Sequence, residues 1–182
     1  MAAVTLALNG CDEIENLLKF CDISSESIRV KDTEVLSLSK VPSLTLCTGQ
    51  TVTGLRTVAA YLSKISNRTL LGCSVLERAQ VDQWMEYIQV ELGFNLKQGT
   101  LTKRALKDLD KFLSHKVYLV GSQLTLADIM LYYSLHAEML EMTVYEKEQL
   151  INLSRWFDQV QCYPGVRQYL SEVSFLRNNL YL

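Results

Sequence analysis

Cys11 is a candidate nucleophile, because it stands at the start of a helical stretch, where the backbone favours a thiolate. Asp12 and Glu13 beside it oppose that effect. Asp128 is an acid inside an apolar run, but it lies three residues after Thr125 in a T-x-x-D pattern. That spacing makes Thr125 an N-cap and Asp128 its reciprocal partner, so a structural cap explains both without catalysis. His136 sits on an apolar stripe with no second ligand near in sequence, which suits a core or interface histidine. The Tyr132–Tyr133 pair falls at core spacing and is expected to pack. There is no glycine-rich phosphate loop, no H-E-x-x-H and no G-x-S-x-G. The cysteines at 11, 21, 47, 73 and 162 form no C-x-x-C pair, and neither His115 nor His136 lies near one. No metal site is expected, and free thiols of a reducing compartment are the simpler reading. The sequons at Asn67 and Asn152 carry little meaning without a secretory signal.

The elements that must position these residues are of two kinds. A chain of 182 residues with 48% hydrophobic content can form one domain, or two small ones sharing a core. Its 18 basic and 20 acidic residues give a net charge of −2, so no field favours general nucleic-acid binding. No apolar run is long enough to span a membrane, and the first ten residues lack the pattern of a signal peptide. A cytoplasmic protein is expected.

Val4–Leu8 reads as a short buried strand, broken at Asn9–Gly10 and followed by a helix through Ile14, Leu17 and Leu18. Two weak strand stretches follow, at Ile28–Val30 and Val35–Leu38. Val41–Pro42 leads into the alternating Ser43–Cys47, and a helix from about Thr53 would bury Leu55, Val58, Ala59, Leu62 and Ile65.

From Ser74 onward the pattern is helical. Capping boxes stand at Ser74–Glu77 and Thr143–Glu146. Val81, Trp84, Met85, Ile88 and Leu92 line one stripe, after which Gly93 and Gly99 mark a loop. The next helix starts near Leu101, and Lys103, Arg104 and Lys107 interleave with Asp108 and Asp110 as a solvated face. The helix after Thr125 would bury Ile129, Tyr132, Tyr133, His136 and Leu140. A single helix then carries Leu150, Leu153, Trp156, Phe157 and Val160, and Pro164 reopens a short one.

This α+β layout resembles the glutathione-transferase-like superfamily: a small thioredoxin-like unit over 1–67, then an all-helical domain over 74–182. Leu119-Val120-Gly121 through Leu124-Thr125-Leu126-Ala127-Asp128 is similar to the buried cap of that superfamily's central helix, and Arg155-Trp156-Phe157 with Tyr163-Pro164-Gly165-Val166 to its closing segment. Val41-Pro42-Ser43-Leu44 resembles the strand that follows a cis-proline in the superfamily. Leu70-Leu71-Gly72, Gln83–Tyr87, Lys116–Leu119, Leu131–Tyr133, Asn152–Phe157 and the ending near Asn179 resemble non-catalytic auxiliary subunits of the multi-tRNA-synthetase complex.

The resemblance implies a scaffold in translation, with no catalytic residue and no cofactor. A transferase holds the γ-glutamyl end of glutathione with a Glu or Gln followed by Ser at the helix after the proline strand. Gly54-Leu55 occupies the matching positions here. A glutathione-dependent transferase using Cys11 is the alternative, and a detached domain of a larger translation protein is a third reading. The start at Met1 and the end just after the last family segment favour a standalone chain. The implied partners are methionyl-tRNA synthetase and a glutamyl-prolyl-type tRNA synthetase. One docking face would use Leu55, Arg56 and Val58. The other would use Arg155, whose planar guanidinium suits interface contacts. If Arg155 instead pairs within the chain, Asp158 or Glu146 is the expected partner. No direct contact with nucleic acid or membrane is implied. The family also suggests passage between cytoplasm and nucleus, although no basic cluster reads as an import signal.

Overall fold

A computed structural model describes residues 4–24, 27–31, 41–66, 68–92 and 103–175. The sequence features at Val35–Leu38, Asn67, Gly93, Gly99, Leu101 and from Asn179 onward lie outside the described residues.

Four short strands form a mixed sheet in the order β2-β1-β3-β4. Strand β1 (Val4–Ala7) runs parallel to β2 (Ile28–Lys31) and antiparallel to β3 (Ser43–Thr45), with Leu6 opposite Leu44. Both leucines are fully buried, as the period-two alternation requires of residues on one face. Strand β4 (Thr51–Thr53) pairs antiparallel with β3 through the turn at Gly49, whose φ of +83° suits glycine. The sequence pattern starts a helix at about Thr53 and shows no strand between Cys47 and that start. The helix begins two residues later, because the β-branched Thr51-Val52-Thr53 extends the sheet before Gly54 turns the chain.

Helices α1 (Asp12–Phe20) and α2 (Leu55–Ile65) cover the sheet with Ile14, Leu17, Val58, Ala59 and Leu62. Ile65, expected inside, is 40% exposed. The buried stripe of α2 passes through Ser63 instead, whose hydroxyl donates to the Ala59 carbonyl at 2.8 Å and so can be buried at little cost. The Val41–Pro42 bond is trans, not the cis form that the resemblance implied. Trans is the lower-energy form even before proline. The Asn9 Nδ2 donates to the Val41 carbonyl at 2.7 Å, and the Gly54 N–H donates to the Pro42 carbonyl at 3.0 Å, holding this backbone in place.

The helical half starts with α3 (Val75–Tyr87), which widens into a π turn at Ile88–Leu92. The Ser74–Glu77 capping box is formed, with Glu77 N–H donating to Ser74 Oγ at 3.1 Å. Helix α4 (Lys103–Phe112) ends in a 3-10 turn, Leu113–His115. Helix α5 (Leu126–Glu141) is the centre of the molecule and is buried over most of its length. Leu140 departs from the expected stripe and is 45% exposed near the helix end, where Met139 takes the inward position.

The single helix expected after Thr143 is two, α6 (Val144–Gln149) and α7 (Ile151–Gln161), broken at Leu150. Ser154 Oγ donates to the Lys147 carbonyl across the break. Beyond Pro164 the chain runs in turns rather than a short helix. This closing segment is a strap tied down by side chains. Tyr133 Oη donates to the Val166 carbonyl, Gln161 brackets the backbone of Val173, and Tyr169 Oη donates to Asn16 Oδ1 at 2.7 Å. One hydrophobic cluster runs through the sheet, its two helices and the helical half. Among the described residues, no helix is long and apolar enough to cross a membrane.

Candidate functional site

The starts of α1 and α2, Val41–Pro42, the end of α3 and one side of α5 enclose a cleft of about 560 Å³. Asp12, Glu13, Glu138 and Glu141 line it, with no Lys or Arg among the lining residues. Cys11 is the N-cap of α1 and 6% exposed, and its S–H donates to Glu13 Oε2 at 3.2 Å. Burial, followed by the charge of Glu13, pushes its thiol up to about 12. The expected opposition between helix terminus and acidic neighbours is therefore won by burial and the acids. Gly54 caps α2 at φ +108° and Leu55 opens the helix, so neither brings a polar side chain to the cleft. An anionic tripeptide would meet four carboxylates and a protonated thiol there. Among the described residues, no cluster of His, Cys, Asp and Glu could hold a metal ion.

On the first expected docking face, Arg56 is exposed and bridges α2 to α3 through Asp82 at 3.2 Å and Glu86 at 3.8 Å. Leu55 is half-buried beside the cleft. Val58 is fully buried and cannot touch a partner, because the spacing that suggested a face points it at the sheet. On the second face, Arg155 lies on the exposed side of α7. Its Nη2 donates to the carbonyls of Leu113 at 2.7 Å and Lys116 at 2.8 Å. This corrects the expected pairing with Asp158 or Glu146. The Leu113 carbonyl also accepts from the Lys116 N–H at 3.2 Å, but both carbonyls stand at the C-terminal end of α4 and its 3-10 turn, whose negative dipole favours a guanidinium. Glu146 is engaged by the Thr143 cap, with Lys103 at 3.8 Å.

The region 77–163 matches the family described as Nuclear-export cofactor Arc1p. Over 144 residues the chain is 47% identical to eukaryotic translation elongation factor 1 epsilon-1 of Homo sapiens, covering 78% of this chain and 82% of that protein. The chain belongs to the elongation factor 1 epsilon family. It is thus an auxiliary, translation-related protein of transferase-like fold. It is also 26% identical over 171 residues to the bifunctional glutamate/proline–tRNA ligase of Cricetulus griseus, spanning 92% of this chain but 11% of that protein. A theta class glutathione S-transferase from Xanthomonas axonopodis pv. citri, solved with glutathione bound, superposes with a TM-score of 0.70 at 20% identity. That superposition covers 96% of this chain and 100% of the other, and it shows the fold.

In this member of the elongation factor 1 epsilon family, the caps at Thr125 and Asp128 reach further than a helix end. Asp128 is fully buried. Its Oδ1 accepts from Leu119 N–H at 2.8 Å and Trp156 Nε1–H at 2.9 Å, and its Oδ2 from Thr125 N–H at 3.0 Å and Thr125 Oγ1–H at 2.7 Å. Burial raises its carboxyl above the ordinary range, and the four donors oppose that rise. His136 Nε2 lies 2.8 Å from the Ser171 carbonyl and the ring packs against Tyr132, so a core role accounts for it.

The charge pattern puts Asp110 on a solvated face, yet it is half-buried and organises α7. Its Oδ1 accepts from the N–H groups of Asn152 at 2.8 Å and Leu153 at 2.9 Å. Nothing local marks this role, because donor and acceptor stand 42 residues apart. The other members of that cluster are exposed, with Arg104 and Asp108 4.0 Å apart.

Proposed function

We propose that the chain is a non-catalytic scaffold subunit of the multi-tRNA-synthetase complex, docking onto the transferase-like regions of methionyl-tRNA synthetase and a glutamyl-prolyl-type synthetase. The observation that carries this reading is the state of the cleft. A buried thiol pushed up to about 12, four lining carboxylates and Gly54-Leu55 at the start of α2 leave little with which to bind or activate glutathione. With the cleft so disposed, function falls to the surface. Likeness to a segment of a glutamate/proline–tRNA ligase supports contact between related folds, which readily present self-complementary faces to one another.

Arg56 with Leu55 at its flank forms the first docking face, and the outer side of α7 around Arg155 the second. The units 1–67 and 74–182 act as one body in this scheme. The protein works in the cytoplasm with access to the nucleus, a reading supported by the nuclear-export description of the matching family.

Light scattering after size exclusion of the chain mixed with methionyl-tRNA synthetase, beside a calorimetric glutathione titration, tests the proposal. A stable heterocomplex without glutathione binding is expected. Absence of a complex together with micromolar glutathione binding would overturn it.

A further inference from the structure

Away from the acidic cleft, a second cavity of about 380 Å³ opens between the residues that follow α2 and the loop that precedes α5. Its size is near the lower end for small-molecule pockets, roughly 300–1,000 Å³. Phe20, Arg68, Tyr118 and Tyr163 wall it, and Ser122 and Gln123 add a hydroxyl and an amide. The Arg68 guanidinium lies over the Phe20 ring, 4.3 Å from its centroid, and Phe20 is in turn fixed 6.4 Å from the Tyr163 ring. Stacking on a ring face holds a guanidinium in place and leaves its in-plane N–H groups unengaged. Among the described residues Arg68 forms no ion pair that would compete with a ligand, unlike Arg56, Arg104 and Arg167 but like Arg29, Arg78 and Arg155.

We propose that this cavity binds a single nucleotide. Arg68 receives the phosphate through charge-assisted hydrogen bonds. Tyr118 and Tyr163 offer aromatic surface to the base, and stacking of that kind is tolerant of base identity. Ser122 and Gln123 supply donors and acceptors for the base edge or ribose. The nucleotide is either free or the unpaired end of an RNA strand. One phosphate calls for one cation, so the net charge of −2, which disfavours a long phosphate track, does not oppose this site. The proposal stands apart from the docking reading and uses different residues.

Amide NMR spectra of the full chain titrated with adenosine monophosphate, adenosine, inorganic phosphate and a short single-stranded RNA ending in adenosine test it. Adenosine monophosphate is expected to shift the amides of Arg68, Tyr118, Ser122, Gln123 and Tyr163 saturably, with a Kd below about 1 mM. Adenosine and phosphate alone should each bind at least roughly tenfold more weakly, since each lacks one half of the contacts. Arg68→Ala should weaken adenosine monophosphate binding by about tenfold or more, the worth of a charge-assisted contact. Tyr163→Leu should weaken the nucleotide and leave phosphate binding unchanged. If the RNA binds no more tightly than the mononucleotide, the free form is the ligand. If it binds more tightly, with a salt slope near about −0.7 for one phosphate, the strand end is. Unchanged nucleotide affinity in Arg68→Ala, equal affinity for phosphate and nucleotide, shifts spread outside the cavity, or a salt slope of several phosphates would each sink the proposal.

Discussion

The docking reading depends on Cys11 being chemically silent, and that can be measured directly. With its thiol pushed up to about 12, Cys11 has a thiolate fraction near one part in 10⁵ at pH 7. An unperturbed thiol near 8.5 has a fraction of about 3%. Alkylation proceeds through the thiolate, so Cys11 should react on the order of a thousandfold more slowly than an ordinary exposed thiol, before its burial slows it further. Cys47, Cys73 and Cys162 are exposed and serve as internal references. Site-resolved alkylation rates with iodoacetamide, read by peptide mass spectrometry on native protein, give the ratio. The same shift has a signed effect on stability. The folded state keeps the proton that the unfolded state loses above about pH 8.5, so stability falls as pH rises from there toward 12. Compared with Cys11→Ser, the wild type should lose up to about 1.4 kcal/mol per pH unit in that window, measured by urea unfolding. Reaction of Cys11 at the rate of Cys47, or pH profiles that run parallel for the two proteins, would refute the argument and reopen the transferase reading.

Replacing Asp128 by Asn keeps one acceptor oxygen but turns an amide NH₂ toward the Thr125 N–H; a loss of about 2–4 kcal/mol in urea unfolding is expected, and a change under 0.5 would count against the hub. Val58→Ala removes two buried methyl groups and should cost about 2 kcal/mol, while the folded variant binds methionyl-tRNA synthetase with unchanged affinity in size exclusion. Arg155→Ala leaves the carbonyls of Leu113 and Lys116 without their cation and should cost about 1–3 kcal/mol. The same variant should weaken binding to the glutamyl-prolyl-type synthetase in a pull-down, whereas Arg56→Ala should leave that contact intact.

Residues that act on near neighbours in sequence were the ones that could be read before the structure. The boxes at Ser74–Glu77 and Thr143–Glu146 pair residues three positions apart and are formed, because their donors and acceptors belong to one turn. The α5 stripe was clear apart from Leu140, since long apolar helices give the strongest periodic signal. Strand β4 was lost because three residues are too few to show alternation against a following helix. The break at Leu150 was invisible for a different reason. The periodicity of Leu150, Leu153 and Phe157 continues through it, while Asp110 supplies the new cap from a distant helix. Arg155 shows the same limit from the donor's side. A sequence offers acidic side chains as partners for arginine, but the group that holds this one is backbone, which every residue has and no pattern marks. In the cleft, the missing polar pair at Gly54-Leu55 was legible. The arrival of Glu138 and Glu141 in the same cleft was not, because those carboxylates come from a helix more than a hundred residues further along.

The strap that joins Tyr169 to Asn16 has a consequence for the making of the protein. The two residues are 153 positions apart, so α1 leaves the ribosome long before its partner does. At roughly 5–20 residues per second, that interval is about 8–30 s. Throughout it the side-chain oxygen of Asn16, a residue 5% exposed in the finished fold, lacks the phenol that donates to it, and its backbone carbonyl lacks the Gln168 amide. The half of the chain that is synthesised first is completed only by residues of the closing strap.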